Sequence, residues 1–150
     1  MTLSTENIDR ISFQLGMINC FVEMVACGVK NLALSPPMTP EDYEIVKPLS
    51  DRIVEAFGMK SWLEKDLIAT DLQSDDFVAG KWVMLYYASD EILDAYLELK
   101  KQRAAMDDNA LDPDALKELS RAFMRLLSYT DEVIDAKLSG RHQDPFLLID

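Results

Sequence analysis

The chain has 150 residues, 49% of them hydrophobic and 28% charged, a balance typical of a folded domain and too apolar for a disordered one. Its formal net charge of −12 excludes the basic face that nucleic acid or anionic lipid requires. That length predicts a single domain able to bury a core without disulfides or metal.

The first predicted element is one long helix over residues 5–34. Ile8, Ile11, Leu15, Ile18, Val22, Val25, Val29 and Leu32 alternate spacings of three and four, with a second row of Phe13, Met17, Cys20, Met24 and Cys27 beside them. A helix apolar over so much of its circumference needs partners on several sides, which makes it the expected centre of the fold. A thin stripe of Ser12, Gly16, Asn19, Glu23, Ala26 and Lys30 remains. Cys20 and Cys27 lie roughly 10 Å apart along one helix face, too far for a disulfide. They are expected to be buried thiols of a reducing compartment, which places the chain in the cytoplasm. A membrane span is not expected, because Gln14, Asn19 and Glu23 interrupt the run and a mid-span carboxylate costs about 2.5–3.5 kcal/mol. Glu6 and Asp9 stand where a signal peptide would carry basic residues.

Ser35-Pro36-Pro37 stops this helix. Thr39 caps a second, with Pro40 at its first position, Glu41 and Asp42 in its first turn and Gly58 as its stop. Tyr43, Val46, Leu49, Ile53 and Phe57 keep helical spacing past Pro48, where a kink or break is expected. Ser61-Trp62-Leu63-Glu64 reads as a capping box that opens a short helix to residue 69. Long helices are expected over 74–105, along Val78, Trp82, Leu85, Ser89, Ile92, Tyr96 and Leu99, and over 113–139, along Leu116, Leu119, Phe123, Leu126, Val133 and Ile134. No stretch alternates with period two strongly enough to predict a strand. The expected fold is therefore all-α: a bundle of four main helices plus one short helix around a long N-terminal helix, spanning 1–140, with a tail over 141–150.

Ser89-Asp90-Glu91-Ile92-Leu93-Asp94-Ala95 is echoed by Thr130-Asp131-Glu132-Val133-Ile134-Asp135-Ala136. Residues three apart share a helix face, so Glu91 with Asp94, or Glu132 with Asp135, can present two carboxylates to one divalent cation. Over those two short segments the chain resembles the Mg²⁺-dependent all-α nucleotide pyrophosphatases. The resemblance implies a hydrolase of phosphorylated small molecules, with Mg²⁺ or Mn²⁺ on Glu91, Asp94, Glu132 and Asp135. In an antiparallel hairpin turning near Asp108 the two clusters stand roughly 10 Å apart. That register sets Asp90 and Asp94 beside Arg121 and Arg125, and Asp135 beside Lys81, so surface ion pairs are the plainer expectation.

Glu23 lies midway along the most apolar helix and is expected either on a solvent-facing stripe or beside a cation such as Lys81. Tyr86 and Tyr87 fall off the helical seam and need another contact: a helix, a second chain or a small apolar ligand held with Glu23. The eight methionines suit an adaptable pocket. His142 is the only histidine, which excludes di-iron and multi-histidine zinc chemistry. No Gly-rich phosphate loop, nucleophile elbow or Cys–His pairing stands out, and no catalytic set is assigned. The residues favour a non-catalytic interaction or regulatory module without a cofactor, forming a homodimer through surplus apolar helix faces.

Overall fold

The computed structural model describes residues 5–73 and 78–141. The all-α expectation is corrected: the fold is mixed, with five helices among the described residues and a three-stranded antiparallel sheet. The elements run α1 (Arg10–Ala26), β1 (Leu32–Leu34), α2 (Pro40–Phe57), β2 (Lys60–Glu64), β3 (Val83–Tyr87), α3 (Asp90–Ala104), a 3-10 turn (Asp108–Ala110), α4 (Pro113–Leu126) and α5 (Asp131–Leu138).

The long first helix ends early. Asp9 caps α1 by accepting the Ser12 N–H at 2.8 Å. At the far end the Val29 N–H reaches Met24 O at 2.9 Å and the Gly28 N–H reaches Val25 O at 3.0 Å. Gly28 holds φ +76°, so this is a complete Schellman stop with glycine in the left-handed position. Val29 and Leu32 continue the three-four spacing in sequence but lie beyond the helix, and Leu32 opens β1. Helix α2 keeps its expected bounds, capped by Thr39, stopped at Gly58 and continuous through Pro48. The starts of α1 and α2 meet: Arg10 near the start of one grips buried Asp42 near the start of the other, Nε to Oδ2 at 2.8 Å and Nη2 to Oδ1 at 3.0 Å.

The strand order is β1-β3-β2, with β3 antiparallel to both neighbours. Leu32 and Lys60 flank Tyr87, and Leu34 and Trp62 flank Leu85. Met84 and Tyr86 face α1 and α2, packed with Ala33 among Ile18, Val22, Val25, Tyr43, Val46 and Val54. Val83, Leu85 and Tyr87 face the other way, among Leu32, Tyr96, Leu119, Phe123 and Leu127. Helices cover both faces, so all five residues of β3 are buried, and the strand reads as an unbroken apolar run instead of an alternating one. For that reason the segment passes for helix in the sequence. The short helix expected from Ser61 is likewise corrected to strand β2, whose residues pair with β3 from Lys60 to Glu64.

The helix expected over 113–139 divides in two. Ser128 takes φ +70°, and the Tyr129 N–H to Met124 O bond at 3.1 Å closes a second Schellman turn. Thr130 then caps α5. The broken turn has a use in packing: Ser128 Oγ accepts the Asn31 N–H at 2.9 Å, and Lys30 Nζ donates to Leu127 O at 2.7 Å. These bonds tie the α1–β1 turn to the α4–α5 turn. No helix among the described residues is long and apolar enough to cross a membrane. The helix start expected at 74–76, His142 and the 142–150 tail lie outside the described residues.

Candidate functional site

Two regions stand out. The first is the outward face of α1. The sheet and α2 bury Gln14, Ile18, Val22 and Val25, a row centred about 135° round the helix from Met17, Cys20, Met24 and Cys27. A helix lying on a sheet covers one side of itself, so the expectation that α1 sits at the centre with partners all round is corrected. Cys20 and Cys27 are free and exposed, not buried. Met24 keeps 39% of its surface and Val29, just past the helix, 65%. Phe13 and Met17 are half-buried. A Cβ built on Gly16 meets nothing within 4 Å, so that side of the helix is open. Helix α2 adds its own exposed apolar residues, Ile45 and Leu49.

The second region is the connection between β2 and β3. It starts from Glu64, which is 2% exposed at the end of β2. Its carboxylate accepts the Tyr96 hydroxyl at 2.6 Å, the Asp66 N–H at 2.8 Å and Lys100 Nζ at 2.8 Å to each oxygen. Tyr96 Oη accepts the Ile68 N–H at 3.3 Å. Further along, Arg103 Nε donates to Ala69 O at 2.9 Å, and Ser120 Oγ accepts the Asp71 N–H at 2.9 Å. Side chains of β2, α3 and α4 thus hold an irregular segment that has no strand or helix of its own over residues 65–73. Burial, then the Glu64 carboxylate, push the Tyr96 phenol far above its ordinary value, so it stays protonated and donates. Both Glu64 oxygens are committed and enclosed. The cluster anchors the segment; it offers no lone pair to a substrate.

Beside this segment lies a cavity of about 240 Å³, lined by Lys65, Asp66, Leu67, Ile68, Gln73 and Gly80 among others. Gln73 Oε1 is buried and makes no hydrogen bond among the described residues. The Lys65 ammonium is already engaged 4.6 Å above the Trp82 ring.

The residues singled out from the sequence do not gather into one site. Tyr86 and Tyr87 are neighbours on β3 and face opposite sides of the sheet. Tyr86 Oη lies 2.8 Å from Ser50 Oγ in the α1–α2 layer, and burial pushes its phenol far up. Glu23 is exposed on α1, away from both. Glu91 and Asp94 are exposed on α3. Hydrogen bonds from Glu91's own N–H and the Ser89 hydroxyl hold the Glu91 carboxyl below the usual range. Glu132 and Asp135 are exposed on α5. The ion pairs differ from the expected register: Asp135 takes Arg121 at 2.7 Å, Asp131 takes Arg125 at 3.1 Å, and Asp90 takes Lys60 at 2.8 Å. The break at Ser128 folds α5 back on α4, so arginines of α4 meet carboxylates of α5 instead of α3. Among the described residues no group of three or more His, Cys, Asp or Glu side chains could hold a metal ion.

Sequence reasoning missed Glu64, because the capping-box reading spent it on a helix start. Its one local signal is a carboxylate that closes an apolar run, Trp62-Leu63-Glu64. Compared with protein-family models, curated proteins and solved structures, the chain matches none of them.

Proposed function

We propose that the protein is a non-catalytic interaction module that self-associates through the outward face of α1. The observation that carries this reading is the exposed stretch of Cys20, Met24 and Cys27 on the outward side of α1, continued by exposed Val29 just past the helix. From Ile11 to Val29 the only charged residue is Glu23, in a chain that is 28% charged overall. Contiguous apolar surface of this kind marks interaction sites, and covering it gains about 25 cal/mol per Å². Two free, exposed thiols also fit a reducing compartment, and we place the protein in the cytoplasm on that ground.

Sedimentation equilibrium tests the reading directly. The chain is expected to populate a dimer in the micromolar range, and Met24→Asp to return it to monomer with its helix content intact. A wild-type monomer at high micromolar concentration ends the proposal.

A further inference from the structure

We draw no further inference here: the strongest candidate, the outward face of α1 around Cys20, Met24 and Cys27, belongs to the self-association already proposed, and nothing in the structure shows what covers it.

Discussion

The two sides of the sheet close by different means. Against Met84 and Tyr86, α1 and α2 form an almost wholly apolar layer, with Tyr86–Ser50 as its buried hydroxyl pair and Arg10–Asp42 at its edge. Against Val83, Leu85 and Tyr87, α3 and α4 combine apolar packing with the buried Glu64–Tyr96–Lys100 network. The contrast follows from what each side must hold. The α3–α4 side carries the irregular segment after β2, whose backbone groups need partners because buried N–H and C=O groups are costly when left alone. The α1–α2 side joins its elements by short turns, needs few polar anchors, and has apolar surface left over on its outer face.

The sharpest test compares the two rows of α1. Ile18 is fully buried, and Ile18→Ala is expected to cost about 2–5 kcal/mol through lost transfer energy and a cavity. Met24→Ala, a third of a turn round the helix, is expected to cost the monomer under about 0.5 kcal/mol while weakening the dimer. Urea titrations at low protein concentration, paired with sedimentation, separate the two effects. Equal losses of monomer stability would mean that the outer row is packed within the chain. On the other side of the sheet, Lys100→Ala leaves the Glu64 carboxylate buried with only its two neutral donors. Breaking a buried pair costs about 3–5 kcal/mol. The Lys100 side chain is 32% exposed, so solvent screening lowers the expected loss to about 2 kcal/mol. Replacing both partners, Glu64→Leu with Lys100→Met, removes the buried charge but leaves the Tyr96 hydroxyl and the Asp66 N–H without their acceptor, so it is expected to recover little of it.

How much of this was legible depended on range. Helix α2 was readable because Thr39, Pro40 and Gly58 act on their own neighbours. The end of α1 was readable in principle from Gly28, but apolar spacing that ran on through Val29 and Leu32 masked it. Strand β3 was not readable: Val83-Met84-Leu85-Tyr86-Tyr87 is apolar throughout because two layers cover it, and that coverage is a tertiary fact. The sites divide in the same way. The acidic pairs Glu91–Asp94 and Glu132–Asp135 are local and visible, yet they stand exposed on separate helices. The Glu64 cluster joins residues 32 and 36 positions apart, and no local pattern announces it.

Alkaline pH probes both sides at once. Burial pushes the Tyr86 phenol up on one side of the sheet, and burial with Glu64 pushes up Tyr96 on the other. In the unfolded chain both ionise near the ordinary value of 10.0. Their contribution is therefore fully present below pH 10 and is lost progressively above it, because the unfolded state then releases protons that the folded state keeps. The slope is about 1.4 kcal/mol per pH unit for each tyrosine. Tyr86→Phe removes one such slope and, at neutral pH, costs about 1 kcal/mol for the lost Ser50 contact. A folded-state titration showing either phenol ionising near pH 10 would mean that its side of the sheet is open to water.

The smallest effect bears on the outward face alone. Glu23 is exposed and is the one charged residue from Ile11 to Val29, so a dimer through this face brings like carboxylates toward each other, where they repel by about 0.2–0.5 kcal/mol. Glu23→Gln is expected to tighten that dimer by about twofold at low ionic strength, with the gain fading as salt screens the repulsion. Sedimentation equilibrium across a salt series reads both trends. A dimer that weakens on this substitution would show Glu23 accepting a bond from the partner instead of repelling it.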